Sequence, residues 1–163
     1  MRSFAFLAPL ALAAALAAPA LAQTPQVTVT VGGDLTEQVE TLGQRDVDRQ
    51  LERLQTVVER RLARDGALEG ATINLVITDL QPNRPTWQQA ADRPGLSIMD
   101  SFSIGGATVE GEVITADGQR LPVRYSNYSS SIAEVRGYNT WQDAEQTYNR
   151  LANNLASGRL VAR

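Results

Sequence analysis

Paired carboxylates are the one kind of catalytic machinery this sequence holds in quantity. Glu110 and Glu112 alternate within a run of strand periodicity, which places both on one face about 7 Å apart, near the separation of an acid and a base in glycoside hydrolysis. Neither has the apolar surroundings that raise a carboxyl pKa, and Arg124 is expected opposite Glu110, where a guanidinium favours the ionised form. The pair is therefore expected to be a structural cross-strand arrangement. Asp46 and Asp48 have the opening spacing of a calcium loop, but Gln50 and Leu51 follow where an oxygen ligand and a turn glycine should stand. Ser97 follows Gly95-Leu96 like the first half of a nucleophile elbow, yet Met99 occupies the place of the second glycine.

The 163-residue chain contains no His, no Cys and no Lys. Missing imidazole removes a Ser-His-Asp triad, and missing thiolate removes a disulfide framework and Cys-based zinc sites. Missing Lys removes the Walker phosphate loop and Schiff-base chemistry. No metal and no cofactor is expected. All 15 cations are Arg, but 18 acidic residues interleave with them and the net charge is −3. A nucleic-acid partner calls for a basic surplus, so none is expected.

One stretch outside regular periodicity collects groups suited to binding. Between Gln81 and Asp100, Asn83, Arg84, Trp87 and Arg93 supply an amide, forked cations and an aromatic plane, and Pro82, Pro85 and Pro94 stiffen the backbone around them. These four are the candidate binding residues. The competing account has Trp87 folding inward to close one end of the core, as loop aromatics commonly do. Under both accounts Arg84→Ala is expected to leave stability nearly unchanged.

The elements that must position this loop are legible from periodicity. Val27, Val29 and Val31 alternate with Thr28 and Thr30 as in a half-buried strand. Residues 35 to 43 fit either helix or strand. Val47, Leu51, Leu54, Val58 and Leu62 make one stripe of a helix from about Gln44 to Arg64, with Gly66 as its stop. Ile73, Leu75 and Ile77 predict a second strand, and the strand-helix-strand order suggests a parallel pair. Runs from Phe102 to Thr115 and from Gln119 to Tyr128 predict a hairpin. A three-residue loop with left-handed Gly118 pairs Val113 with Leu121, Gly111 with Val123, Glu110 with Arg124 and Val109 with Tyr125, which keeps each face chemically uniform. Gly105-Gly106 is expected to mark a bulge or bend. Thr140-Trp141-Gln142-Asp143 reads as a capping box opening a last helix, whose stripe is Trp141, Ala144, Tyr148, Leu151 and Leu155.

Collected by face, Thr28, Thr30, Thr72, Asn74, Thr78, Glu110, Glu112 and Arg124 all point away from the core. The expected fold is α+β: a two-layer sandwich in the order β-α-β-β-β-α, about four strands in a mixed sheet, with two main helices on one face and water on the other.

Residues 1–22 read as a signal peptide, with Arg2, an apolar run and Ala20-Leu21-Ala22 before the cut. Residues 23–163 are expected to form a single α+β domain, periplasmic or secreted, with no membrane span once the leader is removed. The Val/Thr strand, the Arg/Glu-rich helix, Ile-Thr-Asp at 77 to 79, Ser-Ile-Gly-Gly-Ala at 103 to 107 and Thr-Trp-Gln-Asp-Ala at 140 to 144 together resemble small exported bacterial proteins of unknown function. In element order the chain also distantly resembles the periplasmic auxiliary domains of envelope transport systems. The expected function is that of a non-catalytic binding or accessory domain of the bacterial cell envelope with an envelope protein as partner. The alternative is a small carboxylate-dependent envelope hydrolase.

Overall fold

The structure, a computed structural model, describes residues 23–135 and 139–161. The leader read at 1–22 lies outside the described residues.

Alternation in the first strand, β1 (Gln26–Val31), buries Val27 and leaves Thr28 and Thr30 exposed. The ambiguous residues after it form a helix, α1 (Leu35–Leu42), which buries Leu35 and Leu42 one helical face apart. The long helix α2 (Gln44–Asp65) follows, with Asp46 in its first turn and Arg64 in its last, each sign matched to the macrodipole. Its buried stripe is Val47, Gln50, Leu54, Val58 and Leu62. Leu51, expected in that stripe, is instead half-buried on its flank. Steps of three and four both return to one helical face, so hydrophobicity alone did not reveal that a glutamine takes the inward position.

The second strand, β2 (Thr72–Gln81), lies parallel to β1, pairing Val27 with Ile73 and Val29 with Leu75. Fully burying Ile73, Leu75 and Ile77 contributes on the order of 1.5–3 kcal/mol each. A short helix, α3 (Trp87–Asp92), then interrupts the stretch read as loop. Thr86 Oγ1 accepts the Gln89 N–H at 3.2 Å while Gln89 Oε1 accepts the Thr86 N–H at 3.0 Å, a reciprocal capping box.

Strands β3 (Gly106–Ile114) and β4 (Arg120–Tyr128) form the hairpin in the expected register, with Val113 opposite Leu121, Gly111 opposite Val123, Glu110 opposite Arg124 and Val109 opposite Tyr125. Gly118 has φ of 85°, the left-handed conformation that closes a three-residue loop. The strand begins at Gly106 rather than Phe102, and the irregularity lies on β2, where the register slips between Ile77 and Asp79. Sheet order is β1-β2-β3-β4, parallel only at the first pair.

The last helix, α4 (Gln142–Ala156), buries Ala144, Tyr148, Leu151 and Leu155. It packs beside α2, over β3 and β4, while α2 covers β1. The fold is thus the α+β two-layer sandwich, with both main helices on one face. The capping box read at 140 to 143 does not form: the helix starts one residue later than that signature requires, and no side chain caps it.

The outer face is polar as its alternation implies. Arg124 Nε stands 3.4 Å from Glu110 Oε1, and Arg120 Nη1 stands 2.7 Å from Glu112 Oε1. Both pairs are open to solvent and contribute on the order of 0–1 kcal/mol each. At the other end of this face, Tyr128 Oη donates to Asp79 Oδ2 at 2.5 Å and lies 2.8 Å from Thr108 Oγ1. Burial, reinforced by the Asp79 carboxylate, holds the Tyr128 hydroxyl protonated well above the usual tyrosine range. Burial does the same for Tyr148 in the core.

A raised tyrosine pKa stabilises the fold below the unfolded value, about pH 10, and that contribution is lost as pH rises further. Thermal melts should therefore show the melting temperature falling steeply above about pH 10. Tyr128→Phe should flatten the fall, and an unchanged slope in that variant would remove Tyr128 from the account.

Candidate functional site

The segment that joins β2 to β3, residues 82–105, is held in place by one asparagine. Asn83 is fully buried and uses every polar atom it has. Its backbone N–H donates to the Thr140 carbonyl at 2.7 Å, and its own carbonyl accepts the Ser103 N–H at 2.9 Å. Its side-chain Nδ2 donates to Asp143 Oδ2 at 2.6 Å, while Oδ1 accepts the Asp143 N–H at 2.9 Å. Ser129 Oγ donates to the same carboxylate oxygen at 2.5 Å. A Cβ on Gly105 would stand 2.5 Å from the Asn83 amide, so only glycine leaves room for it. Asp143, expected to cap its own helix, instead anchors this clamp, because a buried carboxylate gains more from donors aimed at it than from a helix end that can reach water.

Arg84 turns inward as well, and is only 9% exposed. Its guanidinium lies 4.2 Å from the centroid of the Phe102 ring, and Nη1 donates to the carbonyls of Ile98, at 3.2 Å, and of Met99. The guanidinium thus ties the two ends of the segment together. This overturns the expectation that Arg84→Ala is neutral for stability, since removing the side chain empties a buried position and leaves those carbonyls without their donor.

Trp87 does the opposite of what core closure requires. It is 78% exposed, at the first position of α3, held there by the Thr86–Gln89 box behind it. Arg93, just past the end of α3, is also exposed and borders a separate hollow of about 380 Å³ with Leu42, Leu80 and Phe102. The four candidates therefore do not converge on one point. Asn83 and Arg84 build the scaffold, while Trp87 and Arg93 border different hollows.

The hollow beside Trp87 is the larger, an open groove of about 740 Å³. Trp87 and Thr86 form one wall, the first half of α2 forms the other, and Trp141 and Glu145 close the end at α4. Along it Arg49 stands 3.6 Å from Asp46, and Arg53 stands 3.6 Å from Glu145. Gln50 lines the groove between them. It is 5% exposed, and its Oε1 has no hydrogen-bond partner. Sequence reasoning missed Gln50, although a signal existed: an amide at a position three residues from Val47 and four from Leu54 belongs to the core-facing stripe.

Among the described residues, this end of the molecule also holds four of the six exposed large hydrophobic side chains. Of the large hydrophobic side chains left exposed, Trp87, Met99, Phe102 and Ile104 all belong to or border the 82–105 segment. Among the described residues, no group of three or more acidic side chains could hold a metal ion, and no helix is long and apolar enough to cross a membrane.

Asn83→Ala should destabilise the protein by about 2–4 kcal/mol, because it leaves the Asp143 carboxylate short of a buried donor. Trp87→Ala should change stability by less than about 0.5 kcal/mol, the range of an exposed substitution. Urea unfolding of the two variants checks both, and a large loss at Trp87 would place that ring in the core after all. Compared with known proteins, the chain matches no family model and no curated relative, so the geometry of this end of the molecule carries the functional argument.

Proposed function

We propose that the chain is a non-catalytic binding domain of the bacterial cell envelope, exported with removal of residues 1–22, whose contact surface is the end of the sandwich built by residues 82–105 and the adjoining face of α2. The observation that carries this reading is Trp87, held almost fully in solvent by an ordered, capped turn at the lip of a groove. A large aromatic presented by rigid backbone loses little conformational freedom when a partner covers it, and such residues dominate binding energy where they occur.

The carboxylates favour binding over hydrolysis. Glu110 and Glu112 lie on the open outer face, each beside an arginine, rather than in an apolar wall. Asp143, which is buried, has the carboxylate oxygen Oδ2 engaged by both Asn83 and Ser129. A hydrolase of this composition needs a carboxylate set in an apolar wall of a cleft, whereas in the groove beside Trp87 Asp46 and Glu145 each have an arginine 3.6 Å away and Glu52 is open to solvent.

A photo-crosslinking amino acid introduced at position 87 in the exporting host tests the reading. It should trap a discrete envelope component, whereas the same group at position 117, in the β3–β4 turn at the opposite end, should trap none. The intact mass of the exported product should begin at Gln23. Equal labelling from both positions, or none from position 87, would overturn the assignment of this surface.

A further inference from the structure

We propose that the groove between α2 and α3 takes a neutral saccharide, with Trp87 as the stacking plane and Gln50 as a hydrogen-bonding group in its floor. The inference rests on the reading of this end as the binding surface, and adds the chemical class of what is bound there.

Charge is the first argument. Arg49 and Arg53, the groove's two guanidiniums, each have a carboxylate 3.6 Å away, and Glu52 adds a third acidic group. An anionic ligand would have to displace Asp46 or Glu145 and would meet net negative charge. A cation would have to draw Asp46 or Glu145 from its arginine, or settle on Glu52 alone, an exposed carboxylate whose single ion pair is worth little in water. A polyhydroxylated neutral molecule does neither, because each hydroxyl both donates to a carboxylate and accepts from a guanidinium.

Shape and polarity point the same way. A pyranose ring presents an apolar C–H face and a polar rim, which matches an aromatic plane bordered by planar hydrogen-bonding groups. The groove's volume, about 740 Å³, lies within the range of small-molecule sites. Its longest wall is α2, whose backbone groups beyond the first turn bond within the helix. An extended peptide that recruits main-chain hydrogen bonds finds no strand edge there.

Gln50 is the second, independent observation. A leucine at that position would complete the apolar stripe of α2, whereas the glutamine leaves a buried acceptor unpaired, an arrangement that destabilises the free protein. Rotation about its terminal torsion, which is soft, turns either the oxygen or the amide nitrogen toward the groove. With the nitrogen turned there the amide donates to a ligand oxygen, and with the oxygen turned there it accepts from a ligand hydroxyl.

The test is calorimetric titration of the full chain with chitotetraose, cellotetraose and maltotetraose, accompanied by tryptophan fluorescence, since both tryptophans of the chain line the groove. At least one saccharide should bind saturably with Kd of about 1 mM or tighter. Trp87→Ala and Gln50→Leu should each weaken it by about tenfold or more. Gln50→Leu should at the same time melt at an equal or higher temperature, which separates loss of a ligand contact from loss of fold. The proposal is overturned if none of the three saturates, or if both variants bind as tightly as the parent. Should the saccharides fail while position 87 still crosslinks an envelope component, the ligand class is wrong and the binding surface stands. If crosslinking fails too, the surface assignment falls with it.

Discussion

The hydrogen-bonded pair of Asn83 and Asp143 is the constraint on which the 82–105 end of this molecule depends. Two bonds join them, Nδ2 to carboxylate at 2.6 Å and backbone N–H to Oδ1 at 2.9 Å, and both lie in the interior. Away from water such bonds are strong when complete, and each group is costly to leave unpaired. The pair links the segment after β2 to the first turn of α4, and Ser129 brings in the chain just past β4 through the same carboxylate. Three stretches distant in sequence are thereby held at one point, and Gly105 is required where the backbone passes closest.

A long connection that would otherwise be mobile becomes a rigid platform in consequence. Arg84 extends the clamp outward by stacking on Phe102 and bonding to the carbonyls of Ile98 and Met99, so the segment is closed upon itself. The Thr86–Gln89 box then starts α3 at a defined orientation. Trp87, at the first position of that helix, is left 78% exposed. Binding loops gain affinity when the scaffold has settled their conformation beforehand.

Gln50 is the polar exception in the core-facing stripe of α2. The long stripe of α2 would be more stable with an aliphatic residue there, and the rest of that stripe is Val or Leu. Natural sequences often retain an imperfection of this kind at the site they use. Gln50 and Trp87 line the same groove, one a polar group in a core-facing stripe and the other an aromatic ring left in water.

Most of the fold was legible in the sequence because periodicity reports directly on which side of an element is dry. Val and Thr alternation marked β1, Ile73, Leu75 and Ile77 marked β2, and the three-residue turn at Gly118 followed from keeping like residues on like faces of the hairpin. The outer face, the parallel first pair and the two covering helices follow from the same patterns. The candidate site was legible only as a neighbourhood. Periodicity says nothing of a segment that satisfies its polar groups through distant partners, so it did not reveal that Asn83 and Arg84 are buried and bonded within the fold, or that Asp143 serves a residue sixty positions away rather than its own helix end. Gln50 and Trp87 meet across one groove only because α2 and α3 are packed at the same end of the sandwich. Local alternation of apolar and polar residues set the layers and their register. Which polar groups are buried, which aromatic is left in water and which side chains share a groove were decided by tertiary structure, because those outcomes depend on contacts between segments whose separation along the chain carries no periodic signal.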